Sequence, residues 1–254
     1  MTDIQVDKAD KIATITLNRQ PVNALTSALY EELGRIFATL DDERDVNCAI
    51  LLSSCERAFC AGKDLKEFLA AKVEDDPANA AIVRRTFSSI LNCPIPVIAA
   101  VNGPALGAGA VIASVCDIRI ASRKATFALP EINIGRCGGG AHLGRLIPQG
   151  ALRRMFFTGQ PIDAQEAYRI GLVDALVEPH ELTDAARTLA ATIAAKSPLG
   201  LRIGKRALRE TEQLPLEEGY AREQAYSTEL MHTEDAREAT RAVVEKRAPV
   251  FVGR

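Results

Sequence analysis

Val97–Asp117, VIAAVNGPALGAGAVIASVCD, is the stretch whose reading decides the fold. It opens on a β-branched run, Val97-Ile98-Ala99-Ala100-Val101, fed by Pro94 and Pro96. Asn102-Gly103-Pro104 makes a turn, Leu106-Gly107-Ala108-Gly109 follows, and an apolar segment then runs to Cys116 with Ser114 as its polar exception. Neither half carries a charge, so a strand and a helix that are both buried are expected. Small residues at their junction let a ligand approach the backbone, and the free N–H groups of a helix start favour an anionic oxygen. That is the setting an oxyanion site requires.

Two other readings of the stretch fail on its punctuation. Residues 94 to 116 are nearly uncharged and long enough to suggest a membrane span. Prolines at 94, 96 and 104 and glycines at 103, 107 and 109 interrupt it too often. A dinucleotide-binding turn would continue Gly107-Ala108-Gly109 with a third small residue at position 112, which is Ile112.

Working outward, Ile4 to Leu17 reads as a hairpin with Ala13, Ile15 and Leu17 turned inward. Thr26 or Ser27 caps a helix whose apolar face is Leu29, Leu33, Ile36, Phe37 and Leu40. A buried strand is expected at Cys48 to Leu52, a helix near Leu65 to Leu69, a surface loop over Lys72 to Asn79, and a helix ending near Leu91. Beyond the central stretch come short strands at Ile118 to Ile120 and Thr126 to Ala128, a helix through Leu143 and Leu146, another over Arg153 to Phe157, and a short one opened by Asp163. A strand over Leu172 to Val177 closes the sheet-forming part. From Glu181 onward helical periodicity takes over, broken at Ser197-Pro198 and Pro215, which predicts a core over 1–195 and a helical region over 196–254.

The 254 residues carry a net charge of −2, which gives no reason to expect nucleic acid or an acidic membrane surface as partner. The polar, acidic opening from Met1 to Asp10 does not read as a signal peptide. Cys48, Cys55, Cys60, Cys93, Cys116 and Cys137 form no C-x-x-C pair, and several lie in apolar runs, which fits reduced structural thiols and a cytoplasmic location. His142, His180 and His232 show no metal-ligand spacing, so no metal site is expected. Lys205, Arg206 and Arg209 read as a solvated basic face.

Val101-Asn102-Gly103-Pro104-Ala105-Leu106-Gly107-Ala108-Gly109 with Cys116-Asp117-Ile118 resembles the signature of the crotonase superfamily, the enoyl-CoA hydratases and isomerases. Phe59-Cys60-Ala61-Gly62-Lys63-Asp64-Leu65 matches its second element at the expected distance upstream. Asn18-Arg19 with Asn23-Ala24-Leu25, then Pro130-Glu131-Ile132, Thr158-Gly159 and Val244-Glu245-Lys246-Arg247, extend the resemblance over nearly the whole chain. It implies an α/β spiral of ββα units with a C-terminal helical region that trimerises, often as a dimer of trimers. It also implies a CoA thioester substrate, with CoA as part of the substrate and no separate cofactor.

The same resemblance implies an oxyanion hole made by the backbone N–H groups of Lys63 and Ala108, and places Ala61, Gly62, Asp64, Leu65, Gly107 and Val111 around the thioester. It points to backbone near Gln20 and Val22 for CoA, and to Lys246 reaching a phosphate from a neighbouring subunit; a solvated tail charge is the alternative for Lys246. Family hydratases commonly use two glutamates, at the positions of Val111 and Glu131. Here Val111 can neither take nor give a proton, which leaves Glu131 as the one carboxylate. Taken without the motif, Glu131 reads as a salt bridge or helix cap.

The expectation is an enzyme working through an oxyanion-stabilised thioester enolate, with double-bond isomerisation by Glu131 alone in first place. A 2-enoyl-CoA hydratase of fatty-acid or related acyl-CoA degradation, helped by His142 or Arg136, is the alternative. A non-catalytic acyl-CoA-binding protein is the alternative of another class.

Overall fold

The alternation of side chains along a strand explains why the middle of this chain holds no charge. The computed structural model describes residues 2–254. In chain order it runs β1 (Ile4–Ala9), β2 (Ile12–Leu17), β3 (Ala24–Leu25), α1 (Ser27–Thr39), β4 (Cys48–Ser53), β5 (Gly62–Lys63), α2 (Leu65–Ala70), α3 (Asp76–Leu91), β6 (Val97–Val101), β7 (Ala105–Leu106) and α4 (Ala108–Val115). It continues with β8 (Ile118–Ser122), β9 (Thr126–Ala128), α5 (Gly140–Leu143), α6 (Gln149–Thr158), β10 (Ile162–Asp163), α7 (Ala164–Arg169), β11 (Ala175–Val177) and α8 (Leu182–Ala194). Three helices close it: α9 (Pro198–Thr211), α10 (Leu216–Met231) and α11 (Glu234–Val244).

The main sheet has the order β1-β2-β4-β6-β8-β11, antiparallel at β1–β2 and parallel elsewhere. Ala49, Leu51, Val97, Ala99 and Val101 face a large core shared with α1, α3 and α4. Their neighbours Cys48, Ile50, Ile98 and Ala100 face the other way, against Leu182, Ala186, Ala190 and Ala194 of α8. Both faces are therefore covered, and β4 and β6 carry no charge.

A second layer of short strands lies at the C-terminal ends of the parallel ones. β3 pairs with β5, and β9 pairs with β7 on one side and β10 on the other. A bridge between Cys60 and Ala105 joins the two groups, with Phe59 N and Cys60 N donating to Pro104 O and Leu106 N donating to Cys60 O at 2.9 Å. These bonds lay residues 59–63 beside residues 104–108, which is what positions the site.

Four sequence expectations need correction. Lys72 to Asn79 is not a loop throughout: a 3-10 turn at Val73–Asp75 leads into α3 at Asp76, with Pro77 in the first helical turn, where its missing N–H costs nothing. The strand expected over Leu172 to Val177 is shortened to β11, because Leu172 N and Val173 N turn back to Ala167 O. The helix through Leu146 ends at Leu143 in turns. Lys205 is buried, not solvated: its Nζ donates to Asp117 Oδ2 at 2.6 Å and to Ile95 O at 2.9 Å.

Candidate active site

α4 is buried on all sides, so its N-terminus is the part of it that can meet a ligand. Gly107 caps it with φ +53°, a conformation side chains rarely adopt, and its N–H donates to Ala128 O. Ala108, as the first helical residue, has no intrahelical acceptor for its N–H. Alongside, Leu25 pairs with Lys63 and Asp64 N donates to Leu25 O at 2.8 Å. Alternation along a parallel strand then turns the Lys63 N–H away from β3. Gly62, at φ +87°, allows the close approach: a Cβ there would sit 2.7 Å from Leu106 O and 3.5 Å from Ala108 N. Two backbone donors thus border one cleft of about 550 Å³.

Glu131 reaches the same cleft from a 3-10 turn, Pro130–Ile134, that Gly135 ends in a left-handed conformation. A Cβ on Gly107 would lie 2.6 Å from Glu131 Oε1, so the carboxyl rests directly over the start of α4. Its Oε2 is buried with no hydrogen-bond partner among the described residues. Burial raises the Glu131 pKa above the usual carboxylate value. A half-buried carboxyl beside two main-chain donors, with its proton held more tightly than usual, is suited to general acid–base work.

Val111 stands one turn along α4, 2 % exposed, and lines the cleft as an apolar wall. His142 lines it as well, its ring edge-on to Phe87 with centroids 5.4 Å apart. Burial, and then the nearby Arg145, lower the His142 pKa, and its Nδ1 is buried without a partner among the described residues. Arg136 also lines the cleft, but its Nη2 donates to both Asp76 carboxylate oxygens, at 2.7 and 2.8 Å. Cys137 is exposed at the rim, whereas Cys60 behind β5 is buried and its thiol is pushed up to about 12.

Of the residues read from sequence, Lys63, Ala108, Glu131, Ala61, Gly62, Leu65, Gly107, Val111, Arg136 and His142 come together here. Gln20, Val22, Asp64 and Lys246 do not line the cleft. Val22 O accepts from Ala61 N, and Asp64 caps α2 while pairing with Arg19 at 2.9 Å, so both hold the Lys63 strand from behind. Lys246 is exposed beyond α11. Sequence reasoning missed Tyr30, Phe68, Val83 and Phe87, which complete the wall. Tyr30 and Phe87 sit on helix faces that read simply as core; the one available signal was the hydroxyl of Tyr30 beside an otherwise apolar face. Burial, with Cys60 and Glu131 nearby, keeps that phenol protonated far above its ordinary range.

Among the described residues no group of three or more His, Cys, Asp or Glu is arranged to hold a metal, and no helix is long and apolar enough to cross a membrane.

The family model described as enoyl-CoA hydratase/isomerase matches residues 7–254. A short-chain-enoyl-CoA hydratase of Clostridium acetobutylicum is 35% identical over 97% of this chain and 96% of its own length. An (E)-benzylidenesuccinyl-CoA hydratase of Thauera aromatica is 36% identical, with 98% and 99% covered. The crystal structure of an enoyl-CoA hydratase from Bacillus anthracis superposes with a TM-score of 0.96 at 36% identity, covering the whole of both chains. With the motifs, the spiral of ββα units and the paired backbone donors, these matches make the chain a member of the enoyl-CoA hydratase/isomerase family, within the crotonase superfamily.

Proposed function

We propose that this protein is an enoyl-CoA isomerase that moves a double bond from the 3,4 to the 2,3 position with Glu131 as its single proton carrier. The observation that carries the reading is the lone orphaned carboxyl of Glu131 over Gly107, with apolar Val111 on the wall where a second carboxylate would be needed. The thioester oxygen is held by the Lys63 and Ala108 N–H groups. Glu131 takes a proton from C2, the electron pair spreads onto the carbonyl oxygen, and the same carboxyl returns the proton to C4 as the C2–C3 double bond forms. Two preorganised donors in a site that excludes water stabilise that oxygen by roughly 3 kcal/mol each. CoA enters as part of the substrate and no separate cofactor takes part.

A second reading, 2-enoyl-CoA hydratase, has His142 in its favour. Its unpartnered Nδ1 and lowered pKa suit a neutral imidazole able to hold a water. The experiment is a direct comparison of 3-hexenoyl-CoA and crotonyl-CoA, following the conjugated enoyl absorbance. Gain of that absorbance from 3-hexenoyl-CoA, with crotonyl-CoA stable, supports isomerisation. Loss of it from crotonyl-CoA, abolished by His142→Phe, supports hydration. Tight binding without either change supports a carrier with no chemistry.

The Gln20 and Val22 backbone and a neighbouring subunit's Lys246 are proposed to hold CoA. The division into a core over 1–195 and an oligomerisation region over 196–254 belongs to the same proposal, as does a homotrimer or dimer of trimers. Its support is the apolar surface left exposed by the last helices at Leu216, Tyr220, Met231, Val243 and Val244.

A further inference from the structure

Three cations line the cleft: Lys63, Arg84 and Arg136. Its two carboxylates are Glu131, over Gly107, and Asp76, which is tied to Arg136. Neither Lys63 nor Arg84 has an ion-pair or hydrogen-bond partner among the described residues, and the Lys63 ammonium is held 4.7 Å above the Phe68 ring centroid. Arg136 lies 5.3 Å from that same centroid, so one ring gathers two positive charges. Arg84 shares one face of α3 with Asp76, Ala80, Val83 and Phe87, spaced as successive helical turns along the wall. Lys63 is half-buried and Arg84 exposed, so a carboxylate between them would gain a charge-assisted contact that a hydrocarbon tail cannot make.

We propose that the cleft selects acyl groups that carry their own carboxylate at the end remote from the thioester, with Lys63 and Arg84 as its counter-charges and Phe68 as the platform that holds the lysine. This rests on the reading of the cleft as an acyl-CoA site. A partly exposed, charge-assisted contact of this kind gives a preference of about tenfold, falling as salt screens it.

The test compares adipyl-CoA with hexanoyl-CoA, unreactive thioesters of equal chain length, by titration calorimetry at low and high salt. Expected is about tenfold tighter binding of adipyl-CoA at low salt, a gap that narrows with salt, shrinks to about twofold in Arg84→Gln and is restored in Arg84→Lys. Circular dichroism of each variant checks that it is folded. Equal affinities overturn the inference, and so does a preference that survives Arg84→Gln. If Arg84→Gln weakens both ligands by one factor, the cations serve the CoA phosphates instead and the inference falls. Binding of neither overturns the acyl-CoA reading and this inference with it. Because calorimetry needs no turnover, failure of isomerisation alone leaves the charge preference standing.

Discussion

Gly107→Ala separates the fold from the chemistry. The added Cβ would lie 2.6 Å from Glu131 Oε1 and 3.4 Å from its Cδ, so the carboxyl must retreat by something under about 1 Å to reach ordinary contact. The retreat is easy for the fold, since Oε1 is the end of a flexible side chain. The backbone at φ +53° and ψ −116° is harder on alanine and costs of order 1–3 kcal/mol of stability. For catalysis the same shift is severe: moving a reacting group by about 1 Å costs about a hundredfold in rate. The assay is deuterium incorporation at the α carbon of a saturated acyl-CoA, read by NMR, beside urea unfolding of the same sample. Expected is a loss of about a hundredfold in exchange from a protein that still unfolds cooperatively. The change should add little once Glu131→Gln is already present, since both then act on one group. Undiminished exchange in Gly107→Ala, or full additivity with Glu131→Gln, would refute Glu131 as the carrier.

The raised Glu131 pKa has two further consequences. In the free enzyme the acid limb of kcat/KM should lie above the ordinary carboxylate range, because the base must be ionised to act. A limb at the value of a solvated glutamate would contradict the burial argument. For stability, the folded state binds this proton more tightly than the unfolded chain, so the contribution is intact below the unfolded value near 4.5 and is lost as pH rises through the folded value. Glu131→Gln should therefore melt higher than its parent at pH 8 and no higher at pH 4, by thermal unfolding in the two buffers. Lys205→Met should lower stability by about 1 kcal/mol in urea, since it leaves the Ile95 carbonyl without its ammonium donor while the exposed Asp117 keeps the Val97 N–H. An unchanged midpoint would mean that water replaces the lysine at no cost.

What the sequence revealed and what it concealed divide along a physical line. The β6–α4 segment was legible because its information is local: β-branched residues, a proline turn, small residues, an apolar helix. Glu131 was legible as a carboxylate of the cleft because its motif neighbours are contiguous, whereas Asp76, the other, was not. Lys205 was not, because a lysine on an amphipathic helix looks solvated until a carboxylate 88 positions away is folded against it. The start of α3 was hidden by polarity: Asp76, Pro77 and Asn79 read as a loop, yet aspartate and proline are at home in a first helical turn. The cations of the cleft were scattered for the same reason as Lys205. Lys63 was read for its amide, while its side chain and Arg84 come to one cleft only in the folded chain.

Asn23 lies behind all of this, fully buried and in a positive-φ conformation of +51°. Its Nδ2 donates to Ser53 Oγ and Phe59 O, its Oδ1 accepts from Arg19 N and Cys55 Sγ, and its carbonyl accepts from the Cys60 thiol. One amide side chain thus rivets the loop after β2 to the loop after β4, immediately ahead of the strand on which Lys63 is laid. The Lys63 N–H proposed to hold the thioester oxygen is consequently aimed by a group outside the cleft, so side chains at the rim can change while that rivet stays put.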